Sequence, residues 1–271
     1  MKNINWIASF PKSGNTWARL LMDAYFLEDV DINDIQTSHG DSNARYHAID
    51  NLPPTRFSPT IQAMLRPTAL VKMVVEHENH GKATPLFLKT HVANVRFAGI
   101  DLIPRELTNS VLYLVRDPRD VVPSYAAHMG LSYDKAIDSM ANEWLLLTRS
   151  DKHQVDGMVC SWGQNVRSYT NANALNTGLV KFEDLKQAPA QALTYMLKHI
   201  GIDEPDPARV KKAVEMTRLS KLKAQEDAEG FGERSDKGEQ FFGKKHKPLT
   251  VKQRRRVEKV FGPEMRLLGY L

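Results

Sequence analysis

The six residues Pro11-Lys12-Ser13-Gly14-Asn15-Thr16 are the first in the chain whose types and order suggest chemistry. They follow the apolar run Asn5 to Phe10 and precede a stretch with helical periodicity, so they read as a loop joining a strand to a helix. Such a loop aims backbone N–H groups and the positive end of the helix dipole at whatever sits in its mouth. Lys12 adds a point charge, Ser13, Asn15 and Thr16 add short donors, and Gly14 permits the close backbone approach that a side chain would block. The chemistry implied is the grip of an anion, foremost the phosphate of a nucleotide donor. The plainer alternative is a βα turn in which Asn15 or Thr16 only caps the helix. A Walker A loop is excluded, because Lys12 precedes the glycine and no Gly-Lys-Ser/Thr follows four intervening residues. A kinase would also need a carboxylate for magnesium near the phosphates, and the sequence names none at a strand end.

Two further groups sit at the ends of apolar runs. In Lys89-Thr90-His91 the period of two puts Lys89 and His91 on one face of a strand and Thr90 on the other. Imidazole accepts a proton near neutral pH, and a neighbouring ammonium favours its unprotonated form, so His91 is a candidate general base. A structural histidine is the alternative. Arg116, at the mouth of the run Ser110 to Val115, suits bidentate recognition of a phosphate. Its alternative is an ion pair with Asp117 or Asp120.

Taken together, these segments resemble the sulfotransferases that use 3′-phosphoadenosine 5′-phosphosulfate (PAPS). The phosphosulfate loop of that family has the string Pro-Lys-Ser-Gly-x-Thr-Trp, here Pro11-Lys12-Ser13-Gly14-Asn15-Thr16-Trp17. Its second signature pairs a strand-end Arg with a Ser eight residues later to hold the 3′-phosphate, matching Arg116 and Ser124. Lys89-Thr90-His91 matches the string that carries the family's catalytic Lys and His. The resemblance also makes Phe182 the aromatic that lies against adenine, with Thr217 and Leu219 lining the same base. A C-terminal Arg-Lys-Gly clasp on the 3′-phosphate is similar to Lys237-Gly238, but Asp236 stands where the Arg would be and Arg234 is its nearest substitute. The dimerisation string of the cytosolic branch is met only at Thr250-Val251, so that mode of pairing is not expected. The resemblance implies sulfonyl transfer from PAPS to a hydroxyl of a small-molecule acceptor. His91 is then the base, Lys12 and Lys89 stabilise the leaving group, Ser124 and Arg116 hold the 3′-phosphate, and no metal is needed. Two rival readings are an ATP-dependent phosphotransferase with an atypical loop, and a non-enzymatic polyanion binder using residues 244–259.

The elements that must position these groups alternate. A buried strand to Phe10 feeds a helix from Thr16 to Phe26, with Trp17, Leu20, Leu21, Ala24 and Tyr25 at helical spacing. Residues 27–66 read as an extended loop, and Pro67 as the start of a helix to about Asn79. Strands follow at Pro85 to His91 and Ser110 to Arg116, the second running into the N-cap pair Asp117-Pro118. Helices are expected over Asp138 to Leu147, Ser161 to Tyr169, Pro189 to Ile200 and Pro207 to Met216, with a loop at Asp151 to Gly157 and a short strand at Leu179 to Phe182. Residues 223–247 are charged and read as poor in core residues. Strand and helix in alternation predict an α/β fold, a central parallel sheet flanked by helices, with ligands beyond the carboxyl ends of the strands. Lys12, Lys89, His91 and Arg116 all cluster there.

With 271 residues and no linker, one domain over 1–271 is expected. The hydrophobic fraction of 42% is that of a chain that folds rather than one that stays disordered. A single cysteine, Cys160, excludes an intramolecular disulfide and a thiolate zinc site, which fits a cytoplasmic protein. No apolar stretch is long enough for a signal peptide or a membrane span. The net charge is +5, yet residues 244–259 hold eight Lys or Arg against Glu258 alone, which leaves the remainder at −2. Such a segment reads first as a solvated helix face. With few aromatics there and an acidic body, nucleic acid is not the expected partner.

Overall fold

A computed structural model describes residues 3–81, 84–148, 153–171, 175–233 and 240–271. Strand β1 (Ile4–Ser9) is buried along its whole length and leads through the loop at 11–14 into helix α1 (Asn15–Phe26). The stretch expected to be irregular holds β2 (Ser38–Gly40), the short α2 (Ala44–His47) and a single 3₁₀ turn. Helix α3 (Pro59–Asn79) comes next, then β3 (Leu86–Thr90) and a small hairpin of β4 (Arg96–Phe97) and β5 (Ile100–Asp101). The long β6 (Thr108–Val115) feeds α4 (Pro118–Met129) and α5 (Tyr133–Ala141). A second hairpin of β7 (Leu146–Leu147) and β8 (Gly157–Met158) precedes α6 (Trp162–Thr170) and β9 (Thr177–Lys181). The chain closes with α7 (Phe182–Gln187), α8 (Pro189–His199), α9 (Pro207–Met216), α10 (Leu219–Glu229) and α11 (Val251–Leu267).

The central sheet has the order β2-β3-β1-β6-β9, and every pairing in it is parallel. Its strands read as continuous apolar runs because both faces are covered, and alternation sorts the residues between the two covers. Ile4, Trp6, Ala8, Val111, Tyr113 and Val115 face a core shared with α3, α4, α5, α6 and α11. Ile7, Phe87, Leu112, Leu114 and Val180 face α1, α8, α9 and α10. Each fully buried Val, Leu, Ile or Phe side chain among them contributes about 1.5–3 kcal/mol. The parallel register pairs Ile7 with Lys89 and Ala8 with Thr90, so the ends of β1 and β3 reach the same edge of the sheet. Among the described residues no helix is long and apolar enough to cross a membrane.

Local expectations fail at three places, each for a physical reason. Helix α3 begins eight residues before Pro67, because Ser58 accepts from the Ile61 N–H and Pro59 fills the first turn; Pro67 lies inside the helix. The helix expected over Asp138 to Leu147 is displaced to Tyr133–Ala141 by the Ser132 cap, and Leu146–Leu147 pairs as a strand. Phe182 opens α7 instead of ending β9. The charged stretch from residue 223 is poor in core residues, as expected, but holds some. Phe231 and Phe242 are buried, and the Glu226 carboxylate accepts the N–H groups of Phe241 and Phe242. The basic segment is the solvated face foreseen. Lys252, Arg254, Arg255 and Lys259 are exposed on α11, while Val257, Phe261 and Met265 pack inward.

Candidate functional site

Among the described residues, seven helices carry a side-chain cap at their N-terminus: Asn43, Ser58, Asp117, Ser132, Ser161, Asp206 and Thr250 each accept a backbone N–H. Helix α1 carries none. Its N-cap is Gly14 in a left-handed conformation (φ 98°, ψ 10°), so the first-turn N–H groups open into the loop with no side chain bonded to them. This decides against the simple capped turn. Asn15 turns instead toward β1, where its amide donates to the Ile7 carbonyl at 2.9 Å and to Ser9 Oγ at 3.2 Å. Ser13 is fully buried, and its Oγ has no partner among the described residues. An orphaned hydroxyl beside uncapped amides is an incomplete polar site, costly unless an anion completes it.

Two backbone features hold the loop in this form. Lys12 has φ 67°, a left-handed conformation that a non-glycine residue adopts at a cost of about 1–2 kcal/mol. Its ammonium lies 4.1 Å from the centre of the Phe241 ring. At Gly14 a Cβ would meet Phe182 Cδ2 at 2.5 Å. Phe182 is therefore packed on the loop itself, with the Trp17 ring edge-on to it at 6.1 Å between centroids and the Arg116 guanidinium 4.5 Å over its ring.

Arg116 also reaches the loop, donating through Nη1 to the Lys12 carbonyl at 3.4 Å, while its Nε has no partner among the described residues. The expected alternative of an Asp117 pair does not occur, because Arg119 engages that carboxylate at 2.6 Å and Glu258 at 3.1 Å. Burial draws Arg116 below its ordinary value, with Asp120, Glu183 and Asp117 acting in the opposite sense. Ser124 lies half-buried in α4, two turns from the Asp117 cap. Trp17 donates its indole N–H to the Thr217 carbonyl at 3.2 Å, and the Thr217 hydroxyl is turned back to the Ala213 carbonyl at 2.9 Å. Leu219 is half exposed at the start of α10. Lys237 and Gly238, with Arg234 and Asp236, lie outside the described residues.

His91 follows β3 and reaches across to β1. Its Nδ1 is 2.8 Å from the Ser9 carbonyl oxygen and 3.2 Å from Ser9 Oγ. A carbonyl only accepts, so Nδ1 carries a proton, and in the neutral imidazole the lone pair is then on Nε2. The backbone of this segment is itself anchored: Asn165 donates to the His91 carbonyl at 3.2 Å and accepts from Tyr113 OH at 2.9 Å, and Tyr169 OH donates to the Val92 carbonyl at 2.6 Å. Beyond Val92 a cavity of about 20 Å³, room for one water-sized molecule, is lined by His47, Gln62, Arg66, Leu146 and Met158.

Two residues that the sequence reading passed over stand in the same place. Glu233 presents one carboxylate to Thr16 Oγ1 at 3.0 Å, Arg19 Nη1 at 2.8 Å and Lys89 Nζ at 3.5 Å. Burial alone would raise that carboxyl, but Lys89, Arg19 and the hydrogen bond from Thr16 hold it far below its ordinary range. An arginine five residues after the glycine of an anion loop was the available signal for Arg19. None marked Glu233, which lies 217 positions from Thr16.

The model of a sulfotransferase domain matches residues 3–269 of the chain. No curated protein sequence matches it. Solved structures do: retinol dehydratase in complex with retinol and PAP has a TM-score of 0.60 at 17% identity, covering 97% of this chain and 81% of that one. Retinol dehydratase with androsterone and PAP has a TM-score of 0.57 at 16% identity over the same shares. Mouse sulfotransferase SULT7A1 complexed with PAP has 0.58 at 15% identity, covering 98% of this chain and 86% of that one. With the family model spanning nearly the whole chain over this uncapped loop and these strand-end cations, the chain belongs to the sulfotransferase domain family.

Proposed function

We propose that this sulfotransferase, acting as one domain over residues 1–271, moves a sulfonyl group from PAPS to the hydroxyl of a small molecule, with His91 as general base. The observation that carries the reading is the His91 Nδ1 contact with the Ser9 carbonyl at 2.8 Å, which in the neutral imidazole puts the lone pair on Nε2, on the segment that follows β3 beside β1 and its uncapped loop. The donor fits what the residues leave incomplete: the orphaned Ser13 Oγ, the orphaned Arg116 Nε and the bare first turn of α1. The loop amides, Ser13 and Thr16 hold the 5′-phosphate, Arg116 and Ser124 hold the 3′-phosphate, and Phe182 and Trp17 flank the base with Thr217 and Leu219 at its margin. Asn15, bonded into β1, shapes the loop rather than touching the donor. When bound, the donor supplies the sulfonyl group and a phosphate leaving group. His91 Nε2 takes the proton from the attacking hydroxyl, while Lys12 and Lys89 stabilise the charge that develops on the departing oxygen.

A thermal-shift titration separates this function from a phosphotransferase. Adenosine 3′,5′-bisphosphate stabilises the protein and ATP with magnesium does not; stabilisation by ATP alone would refute the reading. For His91→Ala, bisphosphate affinity is retained and turnover falls by about 10²–10⁴-fold. Full activity in that variant would remove His91 as base.

A further inference from the structure

We propose that Arg19 is a third cation of the donor site, receiving the sulfonyl end of PAPS, and that the Glu233 carboxylate occupies the place this group takes. The inference rests on the sulfotransferase reading above. Arg19 is 6% exposed in the second turn of α1, a position where an arginine is costly unless its charge is answered. Its guanidinium is not left to choose a direction, since Nε donates to Ser38 Oγ at 2.7 Å. Ser38 belongs to β2, which pairs with β3 beside Lys89. The remaining edge of the fork points at Glu233.

The Glu233 carboxylate reports what the site selects. Its two oxygens gather donors from two elements: Thr16 and Arg19 in successive turns of α1, and Lys89 in β3. Among the described residues Arg19 and Lys89 both reach this one carboxylate, an arrangement that would hold an oxygen of a sulfonyl group between two cations. Thr16, part of the phosphate loop, holds Oε2, whereas Arg19 and Lys89 share Oε1. The oxygen shared by the two cations therefore marks the group next beyond the 5′-phosphate, the one transferred. Glu233 itself is replaceable there: its side chain is 36% exposed, and it follows Gly230 and Gly232 in a segment outside any helix or strand. Donor binding exchanges an internal anion for an external one.

The test compares Arg19→Met and Arg19→Lys by calorimetric titration with adenosine 3′,5′-bisphosphate, which lacks the sulfonyl group, and by steady-state kinetics with PAPS. The Met variant should keep bisphosphate Kd within about 3-fold and lose on the order of 10²–10³-fold in kcat, the range for one removed transition-state donor. The Lys variant should regain at least about a tenth of wild-type kcat, since it returns a cation without the fork. If the Met variant does not fold, the Lys variant alone carries the comparison, with lower kcat at unchanged bisphosphate affinity. Unchanged kcat, or an equal loss of bisphosphate and donor affinity, would overturn the proposal. Failure of the wild type to bind the bisphosphate would instead refute the sulfotransferase reading, and the wild-type titration tells that failure apart from a failure of Arg19 alone.

Discussion

Replacing Gly14 with alanine tests the loop by two independent costs. At φ 98° an L residue sits beyond the comfortable left-handed region, which costs about 1–2 kcal/mol. The new Cβ would also meet Phe182 Cδ2 at 2.5 Å and Cε2 at 3.2 Å. The ring cannot swing away freely, because Trp17 lies against it and Arg116 lies over it. Overpacking of that kind costs about 1–3 kcal/mol. The sum, about 2–5 kcal/mol, corresponds to a Tm lower by roughly 5–15 °C in a chain of this size. Differential scanning fluorimetry reads the loss, and titration with adenosine 3′,5′-bisphosphate reads the accompanying drop in affinity. Adding Phe182→Leu should recover the steric part of the Tm loss and leave the conformational part. A Gly14→Ala protein with Tm within about 2 °C of wild type and unchanged affinity would refute the account of the loop.

Glu233→Gln removes the charge that answers Arg19 and Lys89, so the sulfonyl end of the donor competes with a weaker occupant; the PAPS KM should fall by about 3–10-fold while the Kd of the bisphosphate, which has no group for that place, stays within about 3-fold, and a rise in the PAPS KM would contradict the placement of Glu233. His47 is 2% exposed, and burial pushes its imidazole below the ordinary value of 6.5, opposed by the Asp41 carbonyl and assisted by Arg66. The unfolded chain then takes up this proton first, so the contribution to stability is full above pH 6.5 and is lost as pH falls through the lowered folded value. Urea unfolding at about pH 7.5 and 5.5 should show a smaller acid loss in His47→Gln than in wild type; equal losses would exclude His47 as the source.

The strands were legible because parallel pairing buries both faces, so Asn5 to Phe10 and Ser110 to Val115 stand out as mostly apolar runs at β1 and β6. Their charged ends were legible for the same reason: Lys89, His91 and Arg116 end uniformly apolar segments. Helix starts fixed by one cap were misread where two starts competed, as at Pro59 against Pro67 and at Ser132 against Asp138. Short strands such as β2 and β7 carry too few residues to show a period.

The sequence alone determined the α/β order, the strand-to-helix loop at Pro11 to Thr16 with its Lys12, Ser13 and Gly14, and the adjacency of Lys89 to His91, since each depends on neighbours along the chain. Three matters were decided only by the tertiary structure. The helix behind the loop has no side-chain cap, because its N-cap is Gly14 and the adjacent Asn15 side chain is bonded to the Ile7 carbonyl on β1. Arg116 is spared for the loop because Arg119 takes Asp117. Glu233 meets Thr16, Arg19 and Lys89, all of them remote from it along the chain. Each of these is a choice among competing partners, and a hydrogen bond or ion pair is chosen by distance in space, which no local spacing encodes.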